Sequence, residues 1–240
     1  RLDREAFFLF LQERPDAGLI FVDDGSSDDT ARLVDGWARE NPQVRLVRLA
    51  LNGGKAEAVR RGILEAGKIL GPFRAGAFIG YWDADLSAPL SGVDDLRAEL
   101  EAAVHREAAF GARVKLVGRK IERRVGRHYL GRTFATVVAV LLNLPFYDTQ
   151  CGAKLFRHSS AMAAVMDKPF LTEWIFDVEV ALRLRLWSAG VGRSLEECVV
   201  EYPLKVWKHR KGSKLGWTDG FRAFFDVFRL LRHYGKGGDQ

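Results

Sequence analysis

Two aspartates one residue apart, Asp83 and Asp85 in YWDADLSAP (81–89), carry the strongest chemical signal in the chain. Along an extended segment side chains alternate, so both carboxylates are expected to point one way while Ala84 faces back. Two like charges at one strand end repel unless a cation lies between them. Hard oxygen ligands favour Mg2+ or Mn2+, with phosphate oxygens completing the shell. The Asp-x-Asp spacing also arises by chance, and its place after an apolar run is what gives it weight.

Three other segments could work with that pair. FVDDGSSDDT (21–30) ends an apolar run on Asp23 and Asp24. In an open parallel sheet ligands sit beyond the carboxyl ends of strands, so a carboxylate there can accept from a base or ribose donor. Gly25 lets the chain turn and Ser26 or Ser27 caps the next helix, although Asp-Gly-Ser is also ordinary turn chemistry. NGGKAEAVRRG (52–62) brings Lys55 to a helix start, able to approach phosphate but without P-loop spacing; in isolation it reads as a solvated helix start. TEWIFDVEV (172–180) contributes Asp177 and Glu179, which are either helix-start acids or the base that a hydroxyl acceptor would require.

The elements that must position these residues alternate in type through the first half. Apolar runs at 19–23, 44–49, 77–82 and 113–117 read as strands. Between them, helices are expected from about Ser27 (stripe Ala31, Val34, Trp37, Ala38), over 54–70 (Val59, Ile63, Ala66, Leu70) and over 91–104 (Val93, Leu96, Leu100, Val104). Strands separated by such helices imply an α/β fold with a doubly wound, mostly parallel sheet. The second half changes character: an apolar helix at 133–144, a strand at 151–157, a helix at 176–189, a strand pair near 196–207 and a terminal helix at 218–234. With no linker or repeat, a single domain over 1–240 is expected, its nucleotide-type half at 1–118 and its acceptor-type half, with amphipathic helices, at 119–240.

Composition narrows the class. Of 240 residues 48% are apolar, which excludes wholesale disorder, and the net charge of +6 suits an anionic partner. No run of 18 apolar residues is present, so nothing spans a bilayer unaided. Cys151 and Cys198 are expected as reduced thiols of a cytosolic protein. Basic residues crowd 113–132 just before the apolar helix, an arrangement that suits either an anionic membrane surface or a solvated charge run beside a core helix. The terminal helix aligns Trp217, Phe221, Phe224, Phe225, Phe228 and Leu231 on one face, open to the same two readings. Nucleic-acid-binding modules are absent, so no nucleic-acid partner is expected.

Segments 21–30, 52–62 and 81–89, in that order, resemble the family 2 glycosyltransferases, most nearly the dolichyl-phosphate glucosyltransferase and polyprenyl-phosphate mannose or glucose synthase branches. VGRK (117–120), DTQCGAKLF (148–156) and WKHRKGSKL (207–215) extend the resemblance from Leu19 to about Leu231. It implies a GT-A fold and an inverting transfer of a hexose from a nucleotide sugar. Asp24, with Asp23, would then contact the nucleobase, Lys55 would join the nucleotide site, and Asp83 and Asp85 would hold the metal and diphosphate. Asp85, Arg119 and Asp177 become catalytic candidates. Arg119, Gln150, Lys154, Arg210, Ser213 and Lys214 become diphosphate or acceptor contacts, and Arg127 and Arg132 would hold a lipid phosphate.

Two departures matter. The family's first, central strand is missing, and residues 1–11 resemble the helix that should follow it, as if an upstream piece were absent. Ser87 stands where mannose synthases tend to have Gln, which favours UDP-glucose as donor. The leading expectation is a polyprenyl or dolichyl phosphate acceptor, used peripherally on the cytoplasmic face of an anionic membrane. A saccharide or other hydroxyl acceptor, and an inactive sugar-nucleotide-binding module, are the alternatives.

Overall fold

The computed structural model describes residues 2–122, 142, 144–209 and 217–234, without the side chains of 217–224. Arg127, Arg132, Arg210, Ser213, Lys214 and most of the apolar helix expected at 133–144 lie outside these residues.

The first layer follows the expected alternation. β1 (Leu19–Asp23) pairs in parallel with β2 (Val44–Arg48) through the crossover helix α2 (Thr30–Glu40). Val34 and Trp37 of α2 are buried, as the stripe requires. They meet α1 (Arg4–Glu13), whose Phe7 stands edge-on to Phe21 at 4.9 Å between ring centroids. α2 begins later than expected because Asp28 first caps a turn, accepting from the Thr30 amide at 3.0 Å.

A second sheet has the order β3-β6-β4-β7, formed by β3 (Phe78–Trp82), β6 (Ala153–Arg157), β4 (Ala108–Ala112) and β7 (Val199–Pro203). β6 runs antiparallel to both neighbours, and β4 and β7 are parallel. β3, β4 and β7 therefore share a direction, and their carboxyl ends lie at one edge with the amino end of β6. β5 (Lys120–Ile121) and β8 (Val206–Trp207) add a short parallel pair. Helix α3 (Gly54–Leu70) packs on both β1 and β3, yet among the described residues no ladder joins those two strands. β1 is only half-buried from end to end although four of its five residues are apolar.

Three expectations are corrected. The strand placed at 113–117 lies instead at Ala108–Ala112, buried at every position. Four of its five side chains are small, which hid it: a Cβ on Gly111 would press on Leu204 and on the Ala153 carbonyl, so that position excludes bulk. Of the apolar residues in the expected run, Leu116 and Val117 are exposed in a loop. The expected strand pair at 196–207 is a short helix, α7 (Leu195–Cys198), followed by β7 and β8, which pair with β4 and β5 and not with each other. In the terminal helix, α8 (Trp217–Tyr234), the buried residues are Val227, Leu230 and Tyr234, while Phe225 and Phe228 are exposed.

Helix α4 (Gly92–Glu101) packs on β4, and α5 (Ser160–Met166) and α6 (Phe176–Gly190), whose first seven residues are all buried, complete the main core. Arg183 of α6 donates to the carbonyls of Val165, Lys168 and Pro169 and to Glu179, whose carboxylate also takes the Tyr234 hydroxyl and the amides of Leu171 and Thr172. Glu179 is fully buried, so its charge depends on that one guanidinium. Arg183→Met is expected to cost about 3–5 kcal/mol by stranding it. A urea midpoint within error of the parent would remove this clamp from the account.

Candidate active site

Loops at the carboxyl ends of the strands converge through a few polar contacts. Asp24 follows β1 and accepts from the backbone amides of Gly53 and Gly54 at 2.7 and 2.8 Å, one with each carboxylate oxygen, at the amino end of α3. Asn52 returns the contact by donating to the Asp24 carbonyl at 2.8 Å. Asp23 closes the turn by accepting from the Ser26 amide. Between the two loops lies an open cleft of about 430 Å³ lined by Asp24, Gly25, Ser26, Ser27, Asp28 and Asn52. The helix-start amides pointing into Asp24 are the ordinary orphan donors of a helix amino end. Each oxygen of Asp24 keeps a lone pair, so capping leaves it able to accept from a base.

Asp83 and Asp85 do sit at the end of β3, but alternation is not what arranges them. The strand stops at Trp82 and residues 83–86 form a turn closed by the Leu86 amide on the Asp83 carbonyl, with Leu86 at φ 51°. Asp85 accepts from the Ser87 amide at 2.8 Å. Lys55, one residue into α3, places its ammonium 2.6 Å from Asp83 Oδ1. Burial pulls the Lys55 pKa down, but the charges of Asp83, Asp177 and Asp85 outweigh it and leave the ammonium above its ordinary value. Lys55 therefore pairs with Asp83, feels the charges of Asp177 and Asp85, and carries its positive charge at neutral pH.

The fit of Asp83 to a divalent ion rests on this donor set and on its seat. Asp83 already binds a cationic group through a hard oxygen, as a Mg2+ or Mn2+ ligand must. Among the described residues no group of three His, Cys, Asp or Glu side chains makes a closed metal cage, so two carboxylates would leave room for phosphate oxygens. A Cβ built on Gly152 would overlap the Asp83 carboxylate. Gly152 is not in the left-handed region, so its φ does not require glycine; the carboxylate does. The Asp83 amide also donates to the Gly152 carbonyl at 2.8 Å. Sequence reading passed over Gly152, for which the CG pair before β6 was the only available cue.

Behind the carboxylates stands Lys154, expected to reach a diphosphate and found fully buried instead. Its ammonium donates to the carbonyls of Thr149 and Cys151 at 2.8 and 2.7 Å and to Asp177 Oδ1 at 2.5 Å. All three protons are used, so in this structure Lys154 has none left for a ligand. Asp177, at the amino end of α6, is also buried and takes a second donor on the same oxygen, the Tyr81 hydroxyl. Burial first, then the Asp177 charge, holds the Tyr81 phenol far above its ordinary pKa, so it stays a donor.

The remaining candidates divide. Gln150 lies in the same loop, with its amide nitrogen buried and unpartnered among the described residues. Arg119 stacks 5.5 Å over Tyr202 and makes no contact with Asp83, Asp85 or Asp177 among the described residues. At the described start of the 207–215 segment, the Lys208 amide donates to the Ser87 carbonyl at 2.8 Å, beside the carboxylate turn. Cys151 is buried and its thiol is pushed up to about 12, chiefly by that burial, so it is not a nucleophile here; both cysteines are free thiols.

With the geometry in place, comparison is informative. Residues 8–162 match the family described as Glycosyl transferase family 2. Over 224 residues the chain is 32% identical to a dolichyl-phosphate beta-glucosyltransferase of Dictyostelium discoideum, covering 90% of this chain and 63% of that one. It is 27% identical over 223 residues to one of Trichomonas vaginalis, covering 91% and 61%. The chain thus spans about three fifths of these relatives' length. Among solved structures, glucosyl-3-phosphoglycerate synthase from Mycobacterium tuberculosis in complex with UDP aligns with a TM-score of 0.64 at 17% identity, over 96% of this chain and 75% of that one. Its complex with Mn2+ and UDP-glucose gives 0.58 at 18%, over 90% and 68%. At that identity the likeness is one of fold.

Gly152→Ala is expected to displace the Asp83 carboxylate, lowering Mn2+ affinity in a direct binding titration and costing about 1–3 kcal/mol of stability through overpacking. In an Asp83→Ala background the same substitution should cost little stability, because the group it collides with is gone. Equal destabilisation in both backgrounds would mean that Gly152 is kept for some other reason.

Proposed function

The chain belongs to glycosyl transferase family 2, and from that membership we propose that it transfers a hexose from a nucleotide sugar, UDP-glucose favoured, to a polyprenyl or dolichyl phosphate. The observation that carries the proposal is the line of charges at one strand edge: Asp83 and Asp85, Lys55 against Asp83, and Asp177 within reach of the Lys55 charge. The GT-A fold, with its nucleotide-type half, supports the donor. The printed names of the curated relatives support glucose and the lipid phosphate.

The chemistry assigned to each residue follows from its place. Asp24 and Asn52 border the cleft for the base and ribose. Lys55 is a charged donor for a diphosphate oxygen, and Asp83 and Asp85 would hold Mg2+ or Mn2+. That ion, when bound, would offset charge building on the departing nucleoside diphosphate. The bond from the anomeric carbon to the diphosphate oxygen breaks while a bond to an acceptor oxygen forms from the opposite face, inverting an α donor to a β product. A phosphate monoester has a second pKa near about 6, so at neutral pH it attacks without a base. Asp177 then orients the sugar or acceptor, using the oxygen that Lys154 and Tyr81 leave open.

A membrane-surface site fits the same reading. Phe225 and Phe228 of α8 face outward, as do Leu116 and Val117 in a loop that also carries Lys115 and Arg119. Among the described residues no helix is long and apolar enough to cross a membrane. The arginines proposed to hold the lipid phosphate, Arg127 and Arg132, follow that loop in sequence.

Incubation with labelled UDP-glucose or GDP-mannose, each with dolichyl phosphate and Mn2+, is expected to give a glucosylated lipid from the first only. Asp85→Asn should lower that transfer about 100-fold or more, by analogy with loss of one transition-state charge partner. Label passing to a saccharide hydroxyl with none in lipid would replace the acceptor assigned here.

Binding to anionic liposomes is expected at low salt. Raising the salt from about 0.01 M to 1 M, which shortens the screening length from about 30 to 3 Å, should release much of the protein. Failure to sediment at low salt would count against a lipid acceptor.

A further inference from the structure

Lys154 and Tyr81 are fully and nearly fully buried, so neither offers a ligand an exposed surface. They are direct partners across the β3–β6 ladder, and both donate to one atom, Asp177 Oδ1. Asp177 Oδ2 receives no hydrogen bond from any described residue, and the Asp177 charge bears on Lys55, whose ammonium pairs with Asp83. Two donors arriving at one oxygen from adjacent strands fix the carboxylate's rotation, because either alone would leave it free to swing about the other. The Lys154 ammonium also grips the Cys151 carbonyl, one residue before the glycine on which the Asp83 carboxylate rests. One buried cation thus ties the carboxylate on the acceptor side to the seat of the carboxylate on the diphosphate side.

We propose that Lys154 and Tyr81 are positioning residues that hold the Asp177 carboxylate in one orientation relative to Lys55 and Asp83, with Oδ2 left for the acceptor side, and so fix the approach of the acceptor without touching either substrate. The inference rests on the reading above that Asp177 faces the acceptor. It assigns to the buried pair a role in the rate of transfer and none in donor binding.

Tyr81→Phe tests it most cleanly, since the ring keeps its packing against Phe156 and Phe176 and only the hydroxyl is lost. Transfer to dolichyl phosphate is expected to fall in kcat by about tenfold or more, the scale of loss when a reacting group is misplaced by a fraction of an ångström to one ångström. The KM for UDP-glucose, acceptor-free hydrolysis of UDP-glucose and the melting temperature should stay near the parent values. Lys154→Met should show the same kcat loss in its folded fraction, with lower stability because Asp177 is left without its cation. A Tyr81→Phe enzyme with parental kcat overturns the proposal, as does a loss that appears equally in donor hydrolysis or donor KM. Should the parent protein itself glucosylate only a hydroxyl compound, the lipid-phosphate reading fails. The same kcat comparison on that compound then decides the positioning role separately.

Discussion

A buried ammonium has no water to solvate it, and its three protons must each find an acceptor or the charge costs several kcal/mol. Lys154 meets that demand with two carbonyls of one loop and one carboxylate from a helix, groups that are distant in sequence except through this contact. The loop carries Gly152 and Gln150, the helix begins with Asp177, and the strand beside Lys154 runs on into Asp83. Remove the ammonium and the three pieces lose their common reference. The pair is therefore best understood as a constraint on geometry, since a buried ion pair on its own is weak evidence of net stabilisation.

Around that constraint the charges at the mouth alternate in sign. Asp83, Asp85 and Asp177 would repel one another across a small cleft, and Lys55 stands among them with its pKa held up by their charges. The same alternation prepares the site for a ligand that is itself anionic. In the proposed reaction a diphosphate would share Lys55 and a dication on Asp83 and Asp85, and Asp177 would serve the acceptor. Asp24 binds the loop after β1 to the loop before α3 through the amide groups at the start of that helix, so the two walls of the cleft are joined directly.

The fold puts its strength where this edge needs it. β4 is buried at every position, with Phe110 its one large side chain, and the first seven residues of α6 are all buried. Arg183 and Glu179 join α6 to the loop before it and to the end of α8. The first layer is built differently: β1 is half-buried and unladdered to β3 among the described residues, and α3 packs on both. Position of the nucleotide-side loops relative to the carboxylate turn thus depends on α3, on Asp24 at its start and on Lys55 one residue into it.

Much of the site was legible in the order of residues alone. Asp23, Asp24, Asp83 and Asp85 stand out because each pair ends an apolar run, and strand ends are where an α/β sheet places ligands. β1 and α3 were readable to the residue, since their apolar periodicity is local. Tertiary structure decided what those local signals could not carry. The resemblance makes Lys154 a diphosphate or acceptor contact, and it becomes a buried strut only because β3, β6 and α6 close over it. Gly152 reads as a loop residue, and becomes the seat of Asp83 only when two strands bring them together. The strand at Ala108–Ala112 was missed because small residues give no periodic signal, and their worth lies in the neighbours they admit. Chemistry-bearing residues announce themselves by type and spacing. Whether a given charge meets water, a ligand or another charge is set by the sum of elements packed around it, and that sum is not written in any one stretch of the chain.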